Sequence, residues 1–186
     1  MLLKRLKTKD GFKILSSKLI YRARLFELKA VQMRAPDGHK FRHEILFHPG
    51  AAVIVPILSH SQFVLIKQFR GAVGRKIWEF PAGTLEIGEA PLACAKREIV
   101  EETGFAAKKW KNLISFYPAP GISTEYMHIF LASQLVPKQM ELDKDEFIER
   151  KIVSFKRLQK MILNGTIIDA KTIIAFFYYC QRQKRR

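Results

Sequence analysis

The chain has 186 residues, which suits one ordinary domain with a small N-terminal extension, and its 48% hydrophobic share is enough for a full core. No apolar run is long enough to span a bilayer as a helix, and the basic start Met1-Leu2-Leu3-Lys4-Arg5-Leu6-Lys7 lacks the apolar core and cleavage site of a secretory signal. The net charge of +16 fits an anionic substrate or a nucleic-acid surface, but much of it lies in Lys4 to Lys13 and Gln181 to Arg186 and so does not identify a partner. Two distant cysteines, Cys94 and Cys180, and five histidines without finger spacing point to free thiols in a reducing cytoplasm.

Phe12 to Arg34 alternates loosely between apolar and polar residues, as two antiparallel strands do. Pro36-Asp37-Gly38 is a turn leading into a third strand, Lys40 to His48. Ala51 to Leu58 is nearly continuous Ala, Val and Ile, the pattern of a buried central strand, and Phe63 to Phe69 is expected to pair with it. Pro81-Ala82-Gly83 breaks the chain before a helix whose first turn holds Pro91 and whose end is Gly104. Strands are expected near Asn112 to Tyr117 and His128 to Leu135, then helices over Ser154 to Leu163 and Asp169 to Cys180. The aromatic run Phe176-Phe177-Tyr178-Tyr179 reads as core. Strands first, a helix between strands and helices last define a mixed α/β sandwich, divided as an N-terminal strand region over 1–48 and a main domain over 49–186.

The chemistry is concentrated between Gly83 and Phe105. Glu98, Glu101 and Glu102 share one helix face, and residues three and four apart on a helix are neighbours, so the like charges repel. A helix with a purely structural role gains nothing from that arrangement, whereas hard divalent cations take clustered carboxylate oxygens as ligands. The order Gly83, five residues, Glu89, seven residues, Arg97-Glu98, an apolar residue, any residue, Glu101-Glu102, any residue, Gly104 and an apolar residue matches the signature of the Nudix hydrolases. Seven fixed residue types at about 6% background each make a chance match on the order of one in a million.

The resemblance implies an α/β/α sandwich around a mixed sheet, here with an N-terminal antiparallel strand extension. It implies Mg2+, with Mn2+ as a substitute, held by Glu98, Glu102 and the main-chain carbonyl of Ala82, with Glu101 completing the cluster or orienting metal-bound water. Arg97 fixes the carboxylates through charge-assisted pairs, and Glu89 holds the turn together rather than touching metal. Further stretches, His48-Pro49-Gly50-Ala51, Lys67-Gln68-Phe69-Arg70, Glu79-Phe80-Pro81-Ala82-Gly83, Phe116-Tyr117-Pro118-Ala119-Pro120-Gly121 and Asp169-Ala170-Lys171-Thr172, resemble the ADP-ribose pyrophosphatase branch, which cleaves nucleoside diphosphate sugars. Pro120 occupies that branch's marker position beyond the Gly83 to Phe105 signature, called the box below.

By the same resemblance the general base is a glutamate in the loop Glu141-Leu142-Asp143-Lys144-Asp145-Glu146, and Glu146 is the best match, although Lys144 stands where a second acid could. Arg70 is the candidate phosphate contact, with a surface-strand arginine as the alternative. Members of the branch are usually homodimers that exchange N-terminal strands. Phe26 is then the aromatic that stacks on the base, or else a core residue, and Glu125 reaches the sugar or the partner's site. Two rival functions stay in view: an RNA 5′-pyrophosphohydrolase, which the charge favours, and a non-catalytic ADP-ribose sensor, which the complete set of box glutamates disfavours.

Overall fold

The computed structural model describes residues 8–59, 61–139 and 148–184. The chain divides into two compact units, one formed by the residues up to Gly50 together with Tyr117–Tyr126, the other by Ala51–Phe116 and the residues from Met127 onward.

The first unit is built on three antiparallel strands in sequence order: β1 (Lys13–Arg22), β2 (Glu27–Arg34) and β3 (Lys40–Phe47). The Pro36-Asp37-Gly38 turn joins β2 to β3, and its backbone is closed by Gly38 N–H donating to Ala35 O (3.0 Å) while Asp37 Oδ1 accepts from His39 N–H (2.9 Å). The free edge of β3 takes on the Tyr117–Tyr126 segment. Leu46 N–H donates to Ile122 O and Thr124 N–H to Leu46 O, both at 2.9 Å, and the Thr124 hydroxyl oxygen accepts from His48 N–H at 3.0 Å. Gly50 follows with a φ of +106°, and a Cβ there would stand 2.9 Å from the Tyr126 carbonyl oxygen, so only glycine lets the chain pass.

The second unit is a seven-stranded mixed sheet with helices on both faces. Its strands are β4 (Ala51–Ser59), β5 (Gln62–Arg70), β6 (Arg75–Glu79), β7 (Ala82–Thr84), β8 (Phe105–Phe116), β9 (Met127–Pro137) and β10 (Ile148–Ser154). The order is β10-β5-β4-β9-β8, with β6 added to β5 and β7 to β4. The helices are α1 (Pro91–Thr103), α2 (Phe155–Leu163) and α3 (Ala170–Lys184). Successive side chains of a strand face opposite sides, and β4 uses both. Val53 and Val55 pack with Leu158, Met161, Ala175 and Phe176 of α2 and α3, whereas Ala52 and Ile54 pack with Cys94, Ala95 and Ile99 of α1.

The expected pairing of β5 with β4 is present but short: they pair at Ile57↔Phe63 and Ser59↔Gln62, while β9 lies parallel along β4 from Ala51 to Ile57. With β9 on one edge of β4, the other edge is shared between β5 at one end and β7 at the other, where Ala51↔Thr84, Ala52↔Gly83 and Val53↔Ala82 pair. The sheet therefore splays, and the turn through Phe80 and Pro81 fills the opening. β8 begins at Phe105, directly after α1, and absorbs an irregular register between Asn112 and Ile114. In the aromatic run Phe176 and Tyr179 are core, while Phe177 is exposed.

Candidate active site

α1 positions the acidic side chains. Pro91 opens the helix where its missing N–H costs nothing, and Gly104 closes it at φ 65°, its N–H returning to Val100 O. The Arg150 guanidinium donates to the Thr103 carbonyl and brings positive charge to the negative end of the helix dipole. The buried face of α1 carries Cys94, Ala95, Glu98, Ile99, Glu102 and Thr103. Two carboxylates thus share a face with the apolar residues that dock the helix, and a buried charge is costly unless it is paired.

Each carboxylate has a partner. Glu102 Oε2 accepts from Ala82 N–H at 2.8 Å, and Glu98 Oε1 from the Arg97 guanidinium at 2.7 Å. Arg97 also donates to Glu101 Oε2 (2.9 Å) and to Glu89 (3.3 Å to each oxygen), and Glu89 in turn accepts from Glu86 N–H at 3.0 Å. Glu89 therefore does hold the turn. Burial works against the charge on Arg97, but Glu89 and Glu98 outweigh it and hold its pKa above the ordinary value. For Glu89, burial raises the pKa, yet the bonds from Arg97 and Glu86 N–H prevail and keep the carboxyl below the usual range.

The Gly83 backbone lies directly against Glu98, where a Cβ would stand 1.7 Å from Oε1. That contact presses the Glu98 carboxylate onto β7 beside Ala82. Cys94, whose Sγ is 3.5 Å from Gly83 O, is sealed behind them, and burial together with the charges of Glu98 and Glu89 pushes its thiol up to about 12.

Arg70 ends β5 in the same unit. Its Nε donates to Glu79 Oε1 at 2.9 Å, Nη2 lies 2.9 Å from the same oxygen as an ion pair, and Glu79 is fully buried. Burial lowers the Arg70 pKa, but Glu79 outweighs it, and the charges of Glu102 and Asp169 raise it further. Glu79 Oε2 accepts from Lys171 Nζ, which also donates to Asp169 Oδ1 at 2.8 Å. This network was not read from the sequence, although Glu79 and the Asp169-Ala170-Lys171-Thr172 stretch stood out in it. The discernible signal was Asp169 three residues before Thr172, a helix N-cap pattern.

The candidate residues thus fall into two groups. Ala82, Arg97, Glu98, Glu101 and Glu102 are gathered where β7 meets α1, with Arg70 close enough for Glu102 to act on it electrostatically. Phe26, Pro120 and Glu125 belong to the first unit. There Phe26 is exposed between β1 and β2, and Glu125 Oε1 is 3.8 Å from His48 Nδ1, which accepts from Gly50 N–H. Burial lowers the His48 pKa and Glu125 partly offsets it. Glu146 lies outside the described residues.

Among the described residues no three acidic, His or Cys side chains form a ready metal cage, because Arg97 draws in Glu98 and Glu101 while Glu102 turns to Ala82 N–H. The donor set nevertheless fits a hard cation. Arg97 is shared among Glu89, Glu98 and Glu101, and Glu102 stands beside them, a concentration of carboxylate oxygen that a divalent ion neutralises.

The chain belongs to the NUDIX domain family, which it matches over residues 46–176. It is 36% identical over 168 residues to an ADP-ribose pyrophosphatase of Bacillus subtilis (strain 168), covering 89% of this chain and 91% of the relative. It is 34% identical to a methanol dehydrogenase activator of Bacillus methanolicus over the same share of each. Among solved structures it is similar to one described as the crystal structure of an ADP compounds hydrolase, with a TM-score of 0.82, 25% identity, and coverage of 96% of this chain and 97% of that one.

Two outcomes follow from the packing around Gly83. Gly83→Ala forces Glu98 off β7, and overpacking of this kind costs about 1–3 kcal/mol; chemical denaturation measures it, and unchanged stability contradicts the close approach. In a Cys180→Ser background, Cys94 in the native protein is expected to resist alkylation at pH 8 and to react only after unfolding. Rapid native labelling would contradict its burial and raised pKa.

Proposed function

We propose that the chain is a Mg2+-dependent hydrolase that cleaves the pyrophosphate of a nucleoside diphosphate sugar such as ADP-ribose, releasing a nucleoside monophosphate and a sugar phosphate. The observation that carries this reading is the buried carboxylate pair, Glu98 and Glu102, pressed against Gly83 and Ala82 with Arg97 between Glu98, Glu101 and Glu89. The names of the similar pyrophosphatase and ADP compounds hydrolase support the substrate class. Glu98, Glu102, Glu101 and the Ala82 carbonyl would hold Mg2+, with Mn2+ as a substitute. That ion supplies Lewis acidity and neutralises pyrophosphate charge.

The other roles follow from the residues themselves. Arg97 keeps three carboxylates in register. Arg70 spends one edge of its guanidinium on Glu79, and its remaining donors suit a phosphate oxygen. We assign the general base to Glu146, the base-stacking aromatic to Phe26, and the sugar or partner-site contact to Glu125 beside the Pro120 turn. The retained carboxylates favour turnover over sensing by binding alone.

We further propose a cytoplasmic homodimer. β1 carries exposed Leu15, Leu19, Ile20 and Tyr21, and the loop after it exposes Leu25 and Phe26. An exposed apolar strand with a free edge is an aggregation hazard unless another chain covers it, and a two-fold partner does so with the same surface. Among the described residues no helix is long and apolar enough to cross a membrane.

A panel assay with ADP-ribose, GDP-mannose, UDP-glucose, dinucleotides and triphosphorylated RNA tests the substrate class. Nucleotide-sugar turnover is expected; salt-sensitive turnover of RNA alone would move the assignment to RNA 5′-pyrophosphohydrolases. Glu98→Gln and Glu102→Gln each remove a ligand charge at nearly constant size, so kcat is expected to drop below about a tenth of wild type without loss of the fold. Activity above that level in either variant would overturn the ligand assignment. The intact protein is expected to sediment as a dimer at micromolar concentration and Leu19→Glu as a monomer, whereas an active wild-type monomer would refute the dimer.

A further inference from the structure

The first turn of α3 connects to two parts of the site at once. Asp169 caps the helix, its Oδ2 accepting from Thr172 N–H at 3.0 Å and from the Thr172 hydroxyl at 2.5 Å. The Thr172 hydroxyl oxygen accepts from Phe80 N–H at 2.8 Å, at the start of the turn that leads through Pro81 to Ala82. One residue earlier, Lys171 donates to Asp169 Oδ1 and to Glu79 Oε2. Glu79, Lys171 and Thr172 are all buried. A buried ion network is weak support for stability, since well-packed apolar residues of similar volume often serve as well or better. Its presence here calls for something that apolar packing cannot supply.

The division of labour on Glu79 indicates what that is. Arg70 and Lys171 each take one oxygen of a single carboxylate: Oε1 goes to Arg70 and Oε2 to Lys171. A guanidinium facing a carboxylate with both oxygens available prefers the bidentate fork, which would use the same Nε–Nη2 edge but rotate the guanidinium and re-aim its remaining donors. Lys171 occupies the second oxygen and keeps Arg70 on the first. We infer, resting on the hydrolase reading proposed above, that Lys171 is a positioning residue. Through Glu79 it sets the direction in which the remaining Arg70 donors face a phosphate of the substrate, while Thr172 on the same helical turn fixes the backbone leading to Ala82. Lys171 itself touches no substrate.

Two readouts separate this role from simple helix anchoring. The first is the 15N–1H signal of the Arg70 Nε group in the full-length protein, identified by its loss in Arg70→Lys. Lys171→Met is expected to shift it as Arg70 turns onto the freed oxygen, and Lys171→Arg to leave it near its wild-type position. An unmoved signal in Lys171→Met overturns the inference. The second is a double-mutant cycle on whichever panel substrate the wild type turns over. Loss of kcat/KM in Lys171→Met is expected at roughly ten- to hundredfold, carried mainly by KM, because small misplacements of a binding group have effects of that size. Adding Arg70→Ala should then cost far less than it does alone, since the two side chains act through one carboxylate. Full additivity overturns the inference. Should Lys171→Met fail to fold, Asp169→Asn, which loosens Lys171 while keeping its charge, is read in the same two ways. A wild type that turns over no nucleotide refutes the hydrolase reading, and the Nε signal still decides the placement of Arg70.

Discussion

Carboxylates four residues apart on a helix repel, and two of them on a buried face cost still more, so α1 can dock only if Glu98 and Glu102 are compensated. The compensation comes from sequence neighbours and from the sheet together. Arg97 ties Glu98 to Glu101 and Glu89, while the backbone of β7 receives the rest, with Ala82 N–H on Glu102 and the bare Gly83 backbone under Glu98. The box is therefore a packing solution before it is a chemical one. Its glycine, arginine and glutamates are the parts that let negative charge be stored at the sheet without unfolding the helix.

The sheet has to open for this to happen. Because β4 gives one edge to β9 throughout, β5 and β7 must share the other, and the chain crosses between them through Phe80 and Pro81. That turn is held from three elements. Thr172 of α3 accepts from Phe80 N–H, Ile54 N–H of β4 donates to Pro81 O at 2.9 Å, and Glu102 of α1 accepts from Ala82 N–H. The three helix and strand layers thus converge on three residues. A site whose side chains are held on helices and strands keeps its geometry better than one carried by loops.

Much of this could be read from the chain and some could not, for reasons that lie in the range of each interaction. The helix ends at Pro91 and Gly104, the buried β4 run and the glutamate face are local patterns, and local patterns carry their own physics. The parallel β4–β9 pair and the contact between Glu79 and Lys171 join residues far apart in sequence, and no periodicity reports them. No sequence pattern marks β10, because Ile148-Glu149-Arg150-Lys151-Ile152 is charged and mostly exposed, as an edge strand can be, and so resembles a loop. Phe26 could not be placed from sequence, since an aromatic beside a turn suits both core and surface, and it proves to be exposed.

If stored negative charge at the β7–α1 junction is the basis of the activity, hydrolysis must depend on a divalent ion and must break the pyrophosphate link itself. Chromatography of the products from ADP-ribose, with Mg2+ and then with excess chelator, tests this most directly. AMP and ribose 5-phosphate with Mg2+, and no turnover once it is chelated, is the predicted result; undiminished cleavage under chelation, or release of products that keep the pyrophosphate intact, would contradict it.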